Sequence, residues 1–154
     1  MNITIRKAIK NDIKTLLDIN YSSFEANATY DPYIDINWVH TDDAKDYFMR
    51  AITKKGYYAS VAEVEGKAVG MLFLCPKELS YRTVKMIELD ILAVLPAYRC
   101  QRVGKMLIED AKIWAKKNGY QTIYALSYSK NMRAIDFYKR EGFTSIDTGL
   151  EFSL

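Results

Sequence analysis

The chain has 154 residues, 49% of them hydrophobic, enough for one core of ordinary domain size and against disorder. Lys and Arg number 22 against 19 Asp and Glu, so the net charge of +3 lacks the basic excess of a dedicated nucleic-acid binder. Two cysteines without CxxC spacing and a single histidine supply neither a disulfide scaffold nor a zinc set, and no metal is expected.

The start, MNITIRKAIKND, alternates Ile3 and Ile5 and predicts a short strand over residues 2–8, with no apolar run of secretory length. Asn11 is the expected cap of a helix carrying Ile13, Leu16, Leu17, Tyr21 and Phe24 at helical spacing. Residues 25–40 read as a loop or irregular helix broken by Pro32. Thr41 caps the next helix, whose apolar stripe is Ala44, Tyr47, Phe48, Ala51 and Ile52, and Lys54-Lys55-Gly56 stops it. Strands follow at 57–65 and 67–75, joined at Glu65-Gly66, and again at 83–95.

Pro96 ends that strand, and Val103, Leu107, Ala111 and Trp114 mark a helix that stops at Asn118-Gly119. A buried strand at 121–127 and a helix from Asn131 to Glu141 come next. Phe143–Asp147 and Leu150–Phe152 are expected to finish as strands. The order predicts an α/β (α+β) domain over residues 1–154. Its sheet would be mixed, mostly antiparallel and six- to seven-stranded, with helices on both faces. No stretch approaches the ~20 apolar residues that cross a bilayer, so a cytoplasmic protein without a membrane partner is expected.

The chemistry concentrates between Leu92 and Ile108, where a strand, a turn at Pro96, a basic loop and a helix start follow one another. A helix start has about four unpaired N–H groups and a partial positive charge, a ready anion site. Arg99 and Arg102 add charge, and Gly104 permits close backbone approach, so a diphosphate suits this loop.

The segment Val94-Leu95-Pro96-Ala97-Tyr98-Arg99-Cys100-Gln101-Arg102-Val103-Gly104 resembles the V-x-P-x-Y-R/Q-x-x-G-x-G/A signature of the GNAT superfamily of N-acetyltransferases, with Arg102 in place of the usual first glycine. A second block, Asn131, Ala134, Phe137, Tyr138, Gly142 and Phe143, is similar to that family's N-x-x-A-x-x-F-Y-x-x-x-G-F pattern. The resemblance implies a GNAT-like acyltransferase fold, with acetyl-CoA as cosubstrate and acetyl transfer to an amine. It divides the chain into an acceptor-side part of about 1–56 and an acetyl-CoA-binding core of about 57–154. It places the pantetheine arm between two splayed parallel strands, held by the backbone of Leu92, Ala93 and Val94. The pyrophosphate falls to the loop Arg99, Cys100, Gln101, Arg102, Val103, Gly104 and Lys105, with Asn131 and Phe137 on the cofactor's other side. Tyr138 becomes the general acid for the leaving thiolate.

A primary amine with a pKa near ~10.4 is protonated at neutral pH, and freeing it costs about 4–5 kcal/mol at pH 7. A carboxylate that takes the proton lowers that cost. Glu88 and Asp90 precede Val94 by six and four residues, and strand alternation predicts that both share the face of Leu92 and Val94. In the histone-acetylating branch the catalytic glutamate aligns with Glu88.

Between Lys14 and Lys45 there is no Lys or Arg, but Asp18, Glu25, Asp31, Asp35, Asp42 and Asp43 occur there with Phe24, Tyr30, Tyr33 and Trp38. Carboxylates and aromatic faces together suit a cationic amine, with Phe24, Tyr30, Asp31, Tyr33 and Trp38 as candidate contacts. Polyamines, aminoglycosides and peptide amines all qualify. A homodimer is a permitted assembly, and the alternative function is a non-catalytic acetyl-CoA sensor or partner subunit.

Overall fold

The computed structural model describes residues 2–154. Five strands form one sheet in the order β1(Ile3–Lys7), β2(Tyr58–Val64), β3(Lys67–Lys77), β4(Met86–Val94) and β5(Thr122–Ala125). Neighbours are antiparallel except β4 and β5, which run parallel because α3(Val103–Lys117) carries the chain back between them. Three more helices complete the fold: α1(Ile13–Asn27), α2(Asp42–Thr53) and α4(Met132–Arg140).

Strand alternation sorts the core into two layers. Tyr58, Val64, Leu72, Leu74, Ile87 and Leu89 face α3, meeting Val103, Leu107, Ile108 and Ala111. Ala59, Val61, Met71, Phe73 and Ala93 face α1 and α2, meeting Leu16, Ile19, Phe48 and Ala51. Phe48 packs edge-on against Phe73 with centroids 4.9 Å apart, a geometry worth about 0.5–1.5 kcal/mol beyond burial.

Several local readings have a visible cause. Thr41 Oγ1 accepts the Ala44 N–H at 3.2 Å as cap of α2. Glu65 and Gly66 both have positive φ, 52° and 77°, the mirror-image turn that matches strand twist in a two-residue hairpin. Asn11 does not cap α1. It lies in a 3-10 turn over Lys10–Asp12, and Asp12 instead accepts the Ile9 N–H at 2.8 Å. The Arg6 guanidinium, bonded to Asp12 at 2.7 Å and Glu63 at 2.7 Å, holds the Asp12 carboxyl below its ordinary pKa.

The sheet has five strands rather than the expected six to seven. Residues 143–154 adopt no regular structure, and Leu150 and Phe152 lie 95% and 85% exposed, so their apolar pattern finds no face to bury against. The strand expected over 83–95 begins at Met86. No helix among the described residues is long and apolar enough to cross a membrane.

Candidate active site

The site begins with an irregularity in β4. Ile91 pairs with Phe73 and Leu89 with Leu74, leaving Asp90 as an extra residue, a β-bulge. The bulge resets the alternation: Leu89 and Leu92 both face α3, whereas Glu88 shares the α1/α2 side with Ile91, Ala93 and Phe73. The expectation that Glu88 shares the face of Leu92 and Val94 is therefore overturned, because one inserted residue exchanges the two faces of a strand.

The bulge also marks where the sheet opens. β4 and β5 pair only from Met86↔Thr122 to Leu89↔Ala125, and beyond this rung the strands part. The Leu95 N–H bonds the Val69 carbonyl on β3 at 2.9 Å, so alternation turns the backbone polar groups of Leu92 and Val94 the other way, toward the opening. The Val94 carbonyl is met there by Arg99 Nε at 2.9 Å. Ala93, between them, is buried against the α1/α2 layer.

A cationic loop closes the wide end. Its turn is tied by Gln101 Nε2 donating to the Ala97 carbonyl at 2.8 Å. The first backbone bond of α3 runs from the Met106 N–H to the Arg102 carbonyl, leaving the N–H groups of Val103, Gly104 and Lys105 free of helical partners. Cys100 and Arg102 take left-handed backbone, φ 60° and 69°. Arg102 thus keeps the conformation for which glycine is the usual choice. Burial and then the like charge of Arg133 lower the Arg99 pKa, so two cations crowd the loop. Arg133, not foreseen from the sequence, also donates to Cys100 Sγ at 3.4 Å. Cys100, Arg102 and Gln101 line a depression of about 570 Å³ with Ile3 and Met106. These features fit a phosphate-bearing ligand and an extended arm.

α4 closes the other side. A Cβ on Gly104 would lie 3.2 Å from Phe137 Cζ, so the missing side chain makes room for that ring. Asn131 Oδ1 accepts the Ala134 N–H at 3.1 Å and caps α4, the side chain's role in this structure. Tyr138 packs between Phe137 and Phe143, centroids 5.5 and 5.3 Å away, and burial pushes its hydroxyl up to about 12.

The two acids differ. Asp90 stays exposed by surface, yet the surrounding chain desolvates its carboxyl and raises its pKa, with no partnering charge to offset this. Glu88 Oε1 accepts from Lys77 Nζ at 3.0 Å, and that ammonium also lies 4.5 Å from the Tyr124 ring centroid. Neither Lys77 nor Tyr124 stands out in the sequence, since only the strand register brings them to Glu88.

The acceptor-side residues divide likewise. Phe24 and Trp38 stack at 5.7 Å, and Trp38 meets Tyr47 at 5.8 Å, an aromatic packing unit. Tyr30 stacks on Tyr128 at 6.0 Å, and the Tyr128 hydroxyl donates to Asp31 at 3.2 Å, fastening this loop to the segment after β5. Tyr33 is 73% exposed, and its N–H donates to Asp31 Oδ1 at 2.9 Å. Asp35 is occupied by the Asn37 N–H at 2.9 Å.

The chain is 29% identical over 141 residues to an uncharacterised N-acetyltransferase of Methanocaldococcus jannaschii, covering 91% of this chain and 60% of that relative's length. It is 24% identical to the spermidine N(1)-acetyltransferase of Thermoplasma acidophilum, covering 96% of this chain and 92% of that protein. Among solved structures, a tetramutant protein of Bacillus halodurans superposes with a TM-score of 0.87 at 19% identity, covering 98% and 99% of the two chains. AAC(6')-Iy in complex with the bisubstrate analogue CoA-S-monomethyl-acetylneamine superposes with a TM-score of 0.77 at 16% identity, covering 100% and 99%. The profile of the acetyltransferase (GNAT) family matches residues 13–143, and with the parted strands and cationic helix start just described, the chain belongs to that family.

Proposed function

We propose that this acetyltransferase transfers an acetyl group from acetyl-CoA to a cationic primary amine, with the acceptor reached from the residue 1–56 side and the cofactor held by residues 57–154. The observation that carries the reading is the open edge of β4. Backbone groups of Leu92 and Val94 face the gap beyond Leu89↔Ala125, and the gap ends at the free N–H groups and cations of α3. The spermidine specificity named for the Thermoplasma relative and the acetylneamine moiety in the neighbouring complex agree with an amine acceptor.

Bound acetyl-CoA supplies the acetyl thioester. Leu92 and Val94 hold its arm as an added strand, and a backbone N–H aimed at the reacting carbonyl contributes about 3–4 kcal/mol. The N–H groups of residues 103–105 with Arg99, Arg102 and Lys105 hold the diphosphate. Asp90 takes the proton of the incoming ammonium, directly or through water, because desolvation has made its carboxylate more basic. Tyr138 stays protonated at neutral pH and presents its hydroxyl proton to the departing sulfur. Glu88 binds positive charge, as its pairing with Lys77 illustrates.

The test is CoA release from acetyl-CoA with a panel of mono-, di- and polyamines, an aminoglycoside and lysine peptides, with products identified by mass spectrometry. Amine-dependent release with a mass gain of one acetyl group supports the reading. Cofactor binding without release to any amine overturns it in favour of a sensor.

A further inference from the structure

The Lys77 ammonium occupies a built cation site. It lies 3.0 Å from Glu88 Oε1 and 4.5 Å from the centre of the Tyr124 ring, with the Lys77 and Glu88 side chains only 23% and 18% exposed. A carboxylate and an aromatic face bracketing one ammonium is the usual recognition set for an alkylammonium ligand. The place matters as much as the chemistry. Glu88 and Tyr124 face each other across β4 and β5, one rung before the last pair, Leu89↔Ala125, beyond which the strands part. Glu88 also projects to the α1/α2 side, which carries the acceptor-side aromatics. A structural salt bridge would serve anywhere on the sheet, whereas this one sits at the mouth of the gap and holds the cation with a flexible side chain anchored next to the strand end.

Resting on the reading of the chain as an amine acetyltransferase, we propose that Glu88 and Tyr124 form a subsite for the second, non-reacting ammonium of a diamine acceptor, and that Lys77 is a tethered competitor for it and so a specificity-determining residue. The span bounds the size of the amine. Glu88 and the bulged Asp90 are two residues apart on β4, so their backbones are separated by at most about 7 Å. With bonds near 1.5 Å in zigzag, the nitrogens of propane-1,3-diamine and butane-1,4-diamine are separated by about 5 and 6 Å. A short alkyl diamine, or a polyamine end, fits within that span. One nitrogen lies at Asp90 and the other displaces the Lys77 ammonium.

The experiment compares butane-1,4-diamine with butylamine on wild type, Lys77→Met, Lys77→Arg and Glu88→Gln, with thermal melting to confirm folding. Lys77→Met keeps the stem against Tyr124 and removes the competing charge. It should lower the KM for the diamine about fivefold, the scale of a partly exposed ion pair, and shift the diamine-to-butylamine ratio of kcat/KM toward the diamine. Lys77→Arg should leave that ratio near the wild-type value, and Glu88→Gln should bring it toward one. A second readout needs no turnover: calorimetric titration of butane-1,4-diamine into the enzyme–CoA complex should give about fivefold tighter binding for Lys77→Met. A Lys77→Met variant that weakens the diamine, or that changes both amines alike, overturns the subsite. Absence of acetylation of every amine overturns the proposed function alone, because the calorimetric arm still reports on the subsite.

Discussion

Replacing Arg102 with glycine should move stability and cofactor affinity in opposite directions. Arg102 holds φ 69° and ψ −2° at the residue before α3, a conformation that costs a side-chain-bearing residue roughly 1–2 kcal/mol. Arg102→Gly removes that strain but adds about 0.5–1 kcal/mol of unfolded-chain entropy. The net is a gain of about 0.5–1 kcal/mol, which at this chain length raises Tm by about 1–3 °C. The same substitution deletes an exposed cation beside the free N–H groups of α3. One charge-assisted contact to a phosphate is worth about 1.5 kcal/mol, so the Kd for acetyl-CoA should rise about tenfold. Arg102→Ala separates the two effects, since it keeps the strain and loses the charge: Tm should not rise, while the Kd should rise as in the glycine variant. Scanning calorimetry without cofactor and titration calorimetry with acetyl-CoA measure both quantities. A fall in the cofactor-free Tm of Arg102→Gly, or an unchanged Kd in both variants, would refute the reasoning.

Tyr138→Phe should lower kcat by roughly 10- to 10³-fold with the Kd for acetyl-CoA little changed, as measured by steady-state kinetics and titration, because only the donated proton is lost. Asp90→Asn should lower kcat and yet raise Tm at pH 7. Burial raises the Asp90 pKa, so the native state binds the proton more readily than the unfolded chain and the ionised carboxylate costs stability above its ordinary value of 3.8. The Tm gain should accordingly fade as the pH drops from the raised native pKa toward 3.8, and a gain independent of pH would contradict this. Asp12→Asn should act with the opposite sign: the Asp12 pKa is lowered by Arg6, so its contribution is present above the ordinary carboxylate range and is lost as pH falls, narrowing the Tm difference in acid. Gly70→Ala should destabilise by about 1–3 kcal/mol in chemical denaturation, since its Cβ would lie 3.1 Å from both the Ala93 carbonyl oxygen and Val103 Cγ1.

Local interactions wrote much of this protein directly into its sequence. Thr41 and Asn131 cap helices because a short polar side chain reaches an N–H three residues on, and Glu65-Gly66 turns because two positive φ angles close a hairpin. The run from Val94 to Gly104 placed a strand end, a cationic loop and a helix start in order, and those neighbours in sequence remain neighbours in space. The tertiary structure decided what depends on pairing and enclosure. Asp90 became a bulge only because β3 fixes the register on both sides of it, and that single insertion moved Glu88 to the opposite face from Leu92. Lys77, Glu88 and Tyr124 come from three strands, so no periodicity within one segment could join them. The apolar alternation at Leu150 and Phe152 satisfied the pattern of a strand, but a strand forms where an edge accepts its hydrogen bonds and a face takes its side chains, and residues 144–154 found neither in this fold.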